Sequence, residues 1–340
     1  MTKPQPRVLF ICKIRNHFYG PSFGLINSCK FIANALEYNG IEAKVVAVVD
    51  NNYIDREVHK FKPTHVFIEA LWVVPSKFEE LIPLHPHVKW YVRIHSKVPF
   101  LSHEGMAVEW LRKYFEISKT YQNLQLSANN EQIIDSFHSA YDIDMEYFPN
   151  IYEPPHYEDL DDPIVRKHKH TVDIGCFGAI RPMKNQLNQA LAAISFGNEM
   201  KFKIHFHVNS DRCEQRGEGV LKNLIYTFKD TKHKLVLHPW MDHHDFIKVV
   251  KTMDLGMQVS MSETFNIVAA DFVWNNISVV GSDEINWLDR RYRANPHNVE
   301  SMIDKLRFAY KGKQHNTQMI NKELLDKYNK KATKVWINNL

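Results

Sequence analysis

Two basic residues follow a short apolar run in the second half of the sequence, at a spacing that suits phosphate binding. The run 173–177 leads into the segment 178–185 (GAIRPMKN), in which Arg181 and Lys184 lie three positions apart. A strand-to-helix loop offers backbone N–H groups and the positive end of the helix dipole to an anion. Two cations fixed there could neutralise a departing diphosphate without reorganisation. From spacing alone, an ordinary turn with exposed basic residues is an equally good interpretation.

Two acidic residues follow another apolar run and could grip the hydroxyl groups of a ligand. Glu263 lies shortly after the run 255–259, and Asp271 follows eight residues later, about two turns further along a helix. Carboxylates are natural acceptors for the hydroxyls of a sugar or a ribose. Taken alone, Glu263 is as well explained as an acid at a helix N-terminus, stabilised by the dipole.

The first half of the sequence contributes candidate residues at strand ends. His95 ends the run 90–94, although a single histidine in that position more often has a structural role. Lys13 and Arg15 leave the first strand at its carboxyl end, in a turn-rich loop that also carries Gly20, Ser22 and Gly24. These loop residues could line the same ligand site, or they could form a solvated loop.

Other polar groups carry weaker signals. His205 and His207 share one face of a strand and His243 and His244 fall in a loop, but no cysteine or carboxylate completes a metal-ligand set, so we expect no metal. The run 290–293 (RRYR) is better explained as a solvated face than as a nucleic-acid patch, although its tyrosine keeps the second interpretation open. The absence of GxGxxG after the first strand argues against a nicotinamide dehydrogenase, and the sequence has no P-loop.

The elements that must position these residues form two series of strands alternating with helices, which predicts parallel sheets covered on both faces. Short apolar runs predict strands over 8–12, 44–49, 65–68, 90–94 and 124–127, and over 172–177, 202–208, 234–237, 255–259 and 277–280. Prolines and a charged stretch interrupt the pattern between 152 and 170. We therefore predict an α/β protein of two Rossmann-like, doubly wound domains, 1–165 and 166–320, with a terminal helix over 321–340. If the two domains face each other, a central cleft between them is the expected active site.

Composition is compatible with this architecture and sets loose limits on partners. The 340 residues are 44% hydrophobic and 24% charged, enough for a sizeable core in each half, and the net charge of +4 permits an anionic ligand without demanding one. The four cysteines include no CxxC pair, which makes a disulfide framework unexpected. No apolar stretch approaches 18 residues and no signal-peptide pattern opens the sequence, so we expect a soluble, cytoplasmic protein without an integral membrane segment.

Taken together, these motifs resemble the retaining glycosyltransferases of the GT-B fold, in their "group 1" branch, over nearly the whole chain. The most specific match is the acid-x7-acid motif, Glu263 to Asp271. Weaker matches are the turn at 39–42, a histidine after a first-domain strand at His95, the pair Pro149-Asn150, and the loop of the second domain with Gly178, Arg181, Lys184 and Asn185. The sequence departs from the family pattern where Asp271 replaces the usual glutamate and where Thr264 and Asn266 replace glycines.

The resemblance implies a nucleotide-sugar co-substrate, such as a UDP-sugar, and a role for each matching residue. Arg181 and Lys184 would hold the donor diphosphate, and Gly178 and Asn185 would belong to the donor-binding loop. Glu263 would contact the sugar hydroxyls and Asp271 the ribose. The backbone N–H groups of Phe265, Asn266 and Ile267 would touch sugar or phosphate, His95 would face the transferred sugar, and Trp240-Met241 would seat the nucleobase. Lys13, Arg15, Gly20, Ser22 and Gly24 would lie on the acceptor side.

The acceptor and the enzyme class stay open at this point. Soluble GT-B enzymes of bacteriophages glycosylate hydroxymethylated bases in DNA, and a cell-surface glycan or its lipid-linked precursor is the main alternative acceptor. DNA affinity that falls steeply with salt would favour the first, and binding to lipid vesicles would favour the second. Nucleotide-sugar 2-epimerases share the architecture, and a catalytically silent GT-B fold serving as a binding module is a third class.

Overall fold

The computed structural model describes residues 5–14, 23–160, 170–312, 316 and 318–340. The chain divides into two compact units, one made of Met1–Pro155 and Asn329–Leu340 and the other of His156–Tyr328. We call these unit 1 and unit 2. The division falls before the predicted boundary after residue 165, and the C-terminal helix is shared, since its second half belongs to unit 1.

Unit 1 is built on a six-stranded parallel sheet in the order β2-β1-β3-β4-β5-β6. Its strands are β1 (Arg7–Lys13), β2 (Glu42–Val48), β3 (His65–Glu69), β4 (Lys89–Ile94), β5 (Leu124–Ala128) and β6 (Glu146–Tyr147). Its helices are α1 (Phe23–Tyr38), α2 (Ile54–Phe61), α3 (Lys77–Leu84), α4 (Val98–Leu101), α5 (Ala107–Thr120) and α6 (Glu131–Tyr141). The chain reverses after α1 at Gly40, whose φ of +79° is the left-handed conformation that favours glycine.

Unit 2 has a second six-stranded parallel sheet in the order β12-β11-β10-β7-β8-β9. Its strands are β7 (Thr171–Gly175), β8 (Lys203–Asn209), β9 (Lys234–His238), β10 (Leu255–Gln258), β11 (Ser278–Ser282) and β12 (Arg293–Ala294). The helices are α7 (Gln186–Glu199), α8 (Gly217–Phe228), α9 (His243–Thr252), α10 (Ile267–Trp274), α11 (Val299–Gly312) and α12 (Met319–Asn339). Short 3-10 turns cover Pro182–Lys184 and Arg290–Tyr292.

The strand orders locate the ligand-binding edge of each sheet. Counted within its own unit, the second sheet has the dinucleotide-binding order 3-2-1-4-5-6, and the first begins with the flavodoxin-like order 2-1-3-4-5. In such sheets a ligand binds outside the carboxyl ends of the strands where the winding reverses. These switch points lie between β7 and β10 in unit 2 and between β1 and β3 in unit 1.

The predicted α/β class and the doubly wound parallel sheets are confirmed. The strands packed on both faces were predictable because they are continuously apolar, as in β1, where Val8, Leu9, Phe10 and Ile11 are fully buried. The edge strands β6 and β12 were not predicted because two residues carry no pattern.

The C-terminal helix completes the core of unit 1. Trp336 is fully buried against Phe10, Phe67 and Phe148, and its indole N–H donates to the carbonyl of Pro149 at 2.8 Å. Within the part of the chain that the structure describes, no helix joins the length and the apolarity that crossing a membrane would require.

Candidate functional site

The loops that follow β7 and β10 lie side by side at the switch point of unit 2. The backbone N–H of Met261 donates to the carbonyl of Met183 at 2.9 Å, and Asn185 Nδ2 donates to the carbonyl of Val259 at 3.1 Å. Because β7 and β10 are neighbours in the sheet, the two motifs predicted separately from the sequence meet at one place.

Lys184 and Glu263 form an ion pair across these two loops. Their side chains are only 12% and 10% exposed, so the pair is largely removed from water. Burial by itself would raise the pKa of the Glu263 carboxyl, but the Lys184 ammonium, supported by Arg181, holds that pKa below its usual value. Glu263 is therefore a carboxylate at neutral pH, and it holds the Lys184 ammonium in place.

Arg181 is anchored by a carboxylate that sequence analysis did not identify. Glu214 lies 3.4 Å from Arg181 Nη1 through one oxygen and 2.7 Å from Arg212 Nη2 through the other. Arg212 and Glu214 both come from the loop after β8, the strand next to β7. The segment 211–216 (DRCEQR) is a plain charged loop in the sequence, and only the strand order shows that it meets Arg181.

A close backbone approach holds the loops after β7 and β8 together. Ile180 and Cys213 form a parallel β-bridge, in which Ile180 N–H donates to Arg212 and Glu214 N–H donates to Ile180, both at 2.9 Å. Gly217 lies beneath this bridge, where an added Cβ would come within 1.9 Å of the Ile180 carbonyl oxygen. The position therefore tolerates no side chain. The absence of a side chain at Gly217 lets the loop that carries Arg212 and Glu214 pack closely against Ile180.

Gly178 and Asn185 begin and end the loop that carries the cations. Gly178 has a φ of +112°, donates its N–H to Asn209 Oδ1 at 2.9 Å and has open space where a Cβ would point. Asn185 is buried in the left-handed conformation, with a φ of 59°, directly before α7. Its amide also donates to the carbonyl of Pro296 at 2.8 Å. These contacts fix the loop, and the open space beside Gly178 leaves room for a ligand.

The segment before α10 has a left-handed backbone conformation at Asn266. Asn266 has a φ of 64°, a conformation that asparagine tolerates better than most residues. Its side chain caps α10 by accepting from Ala269 N–H at 2.8 Å and donates to Gln258 Oε1 at 3.0 Å. Phe265 is buried, and Ile267, partly buried, is the first residue of the helix. Asn266 therefore fixes the N-terminus of α10 at the switch point.

Asp271 has a protein partner in the structure. The residue is 1% exposed, and its Oδ1 lies 2.9 Å from His243 Nε2, while the other ring nitrogen of His243 lies 2.9 Å from the hydroxyl of Tyr157. The pair His243-His244 was predicted to lie in a loop, but it forms the first turn of α9, which Asp242 caps. A loop was the wrong interpretation because the aspartate before the pair is itself the helix start signal.

Trp240 and Met241 lie in the connection between β9 and α9 and are both partly exposed. The Trp240 ring packs under the guanidinium of Arg212, with the Arg212 Cζ 4.4 Å from the ring centroid. Its backbone N–H donates to Asp211 at 2.8 Å. This aromatic surface is thus tied to the loop that anchors Arg181.

His95 belongs to a buried polar network at the carboxyl edge of the sheet of unit 1, where β3 and β4 end. Its Nε2 contacts Glu69, which also accepts from Arg93 Nη1 at 3.0 Å, and Arg93 donates to Asn150 Oδ1 at 2.6 Å. Burial, together with Arg93, lowers the pKa of His95 despite the opposing effect of Glu69. Sequence analysis did not identify Glu69, because an acid ending an apolar strand gives no pattern of its own. The positive φ of the next residue, Ala70, could not be predicted either.

The predicted acceptor-side residues are only partly described. Lys13 is the exposed last residue of β1, and Gly24 lies in the first turn of α1 rather than in a loop, so the expectation of a loop extending to 24 was wrong. Arg15, Gly20 and Ser22 lie outside the described residues.

Two further expectations from the sequence are changed by the structure. In the run 290–293, Tyr292 is fully buried and Arg293 donates to two backbone carbonyls, which leaves no exposed aromatic ring for stacking on a base at that run.

The expectation that no carboxylate completes a set with His205 and His207 was wrong. Asp173 lies within hydrogen-bond distance of both, because β7 and β8 are paired in register there.

The two strand orders, with polar residues gathered at the carboxyl edge of each sheet, define an α/β protein of two Rossmann-like units. No protein-family model and no curated protein matches the sequence. Solved structures do match, and at the identities found the likeness establishes the fold, which is GT-B.

Three of these structures illustrate the likeness. The first is described as "Trehalose-6-phosphate from E. coli bound with UDP-2-fluoro glucose", with 11% identity, a TM-score of 0.68 and 98% of each chain covered. A UDP-forming trehalose-phosphate synthase from Burkholderia xenovorans has 10% identity and a TM-score of 0.64, with 98% of this chain and 97% of that chain covered. A glycosyltransferase from Rickettsia africae ESF-5 has 12% identity and a TM-score of 0.61, with 98% and 99% covered.

Proposed function

We propose that this protein is a retaining glycosyltransferase that takes a sugar from a nucleotide-sugar donor held on unit 2 and passes it to a hydroxyl acceptor. The observation that carries the proposal is the arrangement of Arg181, Lys184 and Arg212 at the switch point, where Glu214 and Glu263 hold them in place. Cations that are already fixed can stabilise the charge of a departing nucleoside diphosphate without reorganisation.

The donor is proposed to be a UDP-sugar, and several residues support its parts. Arg181 and Lys184 would contact the diphosphate, together with the N-terminus of α10. Glu263, ionised at neutral pH, would accept hydrogen bonds from hydroxyls of the transferred sugar. Trp240 and Met241 would seat the base. Solved structures with the same fold include one bound with UDP-2-fluoro glucose and a UDP-forming synthase, which favours uridine over other bases.

The proposed reaction breaks the bond between the anomeric carbon and the diphosphate oxygen. The acceptor oxygen bonds to the same carbon on the same face, and its proton passes to the leaving diphosphate oxygen. In this route no protein base is required, and the task of Arg181 and Lys184 is to stabilise the negative charge that grows on the leaving group. Removing one such fixed charge or donor typically lowers turnover by about 10²–10³-fold.

The acceptor is the least constrained part of the proposal. A hydroxymethylated base in DNA remains a hypothesis from the sequence, with a cell-surface glycan or a lipid-linked precursor as the alternative. The buried ring of Tyr292 removes one of the features that favoured DNA. A DNA acceptor would make nucleotide release depend on added DNA, whereas a glycan or lipid acceptor would not, so one assay can separate them.

The decisive experiment measures nucleotide release from a panel of nucleotide sugars, with and without DNA that contains hydroxymethylated bases, and reads the mass of the DNA in parallel. We expect release from a UDP-sugar that is lost in Arg181→Ala. Release that depends on DNA and adds one sugar mass identifies the acceptor, whereas release that ignores DNA moves the search to glycans and lipids.

Two other classes give different results in the same assay. Conversion of the nucleotide sugar to an epimer, with no acceptor present, would identify an epimerase. No release from any donor, combined with tight binding of UDP to the wild-type protein, would identify a binding module and overturn the catalytic proposal.

A further inference from the structure

A cluster of two imidazoles and a carboxylate lies on the sheet of unit 2, on residues that the proposed donor site does not use. Asp173 is on β7, and its register partner on β8 is His205. Asp173 Oδ1 lies 3.1 Å from His205 Nδ1 and 3.0 Å from His207 Nε2. All three potential ligand atoms lie within 4.8 Å of one another.

We propose that Asp173, His205 and His207 form a binding site for one divalent transition-metal ion, with Zn²⁺ as the best match. Two imidazoles and one carboxylate suit borderline ions such as Zn²⁺ and Co²⁺ rather than Mg²⁺ or Ca²⁺, which prefer oxygen ligands. Ligand atoms that sit about 2.0–2.2 Å from a tetrahedral ion lie roughly 3.3 Å from each other. The two short separations in the cluster are close to that value, so small side-chain movements suffice to seat an ion.

A further histidine, His238, orients the ring of His207 through the ring nitrogen that does not face Asp173. The Nδ1 of His207 lies 2.8 Å from Nε2 of His238 on β9, and the two rings stack with centroids 5.1 Å apart. When His207 Nδ1–H donates to His238, the lone pair of His207 Nε2 points toward Asp173. An outer partner of this kind fixes the tautomer and the ring orientation of a metal-binding histidine.

The backbone of Asp173 is held by Asp254, the residue before β10. Its N–H donates to the carboxylate of Asp254 at 3.0 Å, and its carbonyl accepts from Asp254 N–H at 2.8 Å. These two bonds fix the backbone position of Asp173 beside β8. Ligands carried by rigid strands meet the geometric demand of a metal site better than ligands carried by loops.

The cluster is open to solvent on one side. The side chains of Asp173 and His205 are each 26% exposed, whereas His207 is 10% exposed. An ion can therefore enter, and water can occupy the coordination position that three protein ligands leave open. A bound ion would join β7 to β8 and, through His238, to β9, so we expect it to stabilise unit 2.

The second group of potential ligands on the described residues is a poorer candidate. It consists of Asp242, His244 and Asp245 at the start of α9. Asp242 already caps the helix, and His244 Nε2 is paired with Asp159 at 2.9 Å. An ion bound there would compete with these contacts, so His244 provides a matched test of site identity.

The experiment uses the full chain without a histidine tag, stripped of metal by a chelator. Co²⁺ is titrated while its visible d–d absorption is followed, bound Zn²⁺ is counted after dialysis, and thermal unfolding is recorded with and without Zn²⁺. We expect one ion per chain and a higher unfolding midpoint with Zn²⁺. His205→Ala should abolish both the absorption and the rise in midpoint, because His205 lies on the open side and its loss leaves two ligands.

Matched variants make the outcome decisive. His59→Ala removes an exposed histidine from α2, and His244→Ala removes the ligand at the start of α9; both should bind the ion as the wild type does. If His205→Ala does not fold, His205→Gln gives the same test. The proposal is overturned if the wild type binds no ion after dialysis, if the signal survives in His205→Ala, or if His244→Ala loses it. In the first case, the two imidazole N–H groups donate to Asp173 and the cluster is a hydrogen-bond network.

Discussion

Lys184 and Glu263, 79 residues apart in the chain, are ion-paired where the loops after β7 and β10 meet. The pair couples the two motifs most important for the proposed function. Glu263 stays ionised because Lys184 is beside it, and Lys184 has one orientation because Glu263 accepts from it. A donor diphosphate would therefore meet a cation whose position is set before binding.

The first prediction concerns the cations themselves. We expect Arg181→Ala and Lys184→Ala each to lower turnover of the nucleotide sugar by about 10²–10³-fold, because each removes a fixed positive charge from the leaving diphosphate. Both variants should fold, although Lys184→Ala should unfold at a lower midpoint since it leaves the buried Glu263 carboxylate with fewer partners. Turnover and circular dichroism measure the two effects. Lys222→Ala, on the exposed side of α8, is the control for loss of a lysine, and near-normal turnover in both site variants would refute the phosphate assignment.

The second prediction tests the close approach beneath the bridge between Ile180 and Cys213. Gly217→Ala places a Cβ against the Ile180 carbonyl and must displace the loop with Arg212 and Glu214, so we expect weaker UDP binding and a loss of stability of about 1–3 kcal/mol. Gly219→Ala is the matched control in the same helix, because nothing lies within 4 Å of its Cβ position. There, alanine should be neutral or should stabilise by about 0.5–1 kcal/mol. Calorimetric UDP titrations and denaturant unfolding decide, and equal behaviour of the two variants would show that the packing has no influence on the site.

The third prediction separates two roles for Asp271. The family resemblance assigns it to the ribose, but the residue is 1% exposed and its carboxylate is bonded to His243. We expect Asp271→Asn and His243→Gln to lower the free energy of unfolding by similar amounts, about 1–3 kcal/mol, and to leave UDP affinity within a few-fold of wild type. Calorimetry with UDP measures the affinity. A loss of tenfold or more in Asp271→Asn alone would instead assign the residue to the ribose.

The contrast between predicted and unpredicted residues has a physical cause. The central strands were predictable since residues packed on both faces of a parallel sheet must be apolar over a continuous run. The position of Arg181 and Lys184 after a sheet strand was predictable since they follow such a run. The contacts of Glu214 and Asp173 were not predictable, because they depend on which strands are neighbours, and local periodicity carries no information about strand order.

The network around His95 also shows that contacts between neighbouring strands cannot be predicted from the local sequence. The sequence placed His95 at a strand end, where β4 does finish just before it. Its partner Glu69 ends β3, and Asn150, from the segment after β6, bonds to Arg93 in the same network. These contacts arise only when parallel strands end at one edge. The side chain of His95 is therefore occupied within unit 1, and a role toward a transferred sugar remains a prediction.

The fourth prediction is a pH dependence of stability that originates in unit 1. His65 is buried in the first position of β3, with Nδ1 2.8 Å from the hydroxyl of Thr64, and burial, together with Lys89, lowers its pKa to about 4. An unfolded histidine titrates near 6.5, so the folded state binds fewer protons between those values. Because the unfolded state binds the extra proton, the folded state keeps its full stability above pH 6.5 and loses stability as the pH falls from 6.5 toward 4. Its size is about 3 kcal/mol at most.

Replacing this histidine should flatten that part of the profile. His65→Asn keeps a polar group near Thr64 but removes the titration, so we expect the difference in unfolding free energy between pH 7 and pH 4.5 to shrink by about 2 kcal/mol relative to wild type. Urea unfolding at a series of pH values, followed by the fluorescence of the tryptophans, gives the profile. His59→Asn, an exposed histidine in α2, should leave the profile as in wild type. Identical slopes for His65→Asn and wild type would mean that His65 is protonated without cost in the folded state.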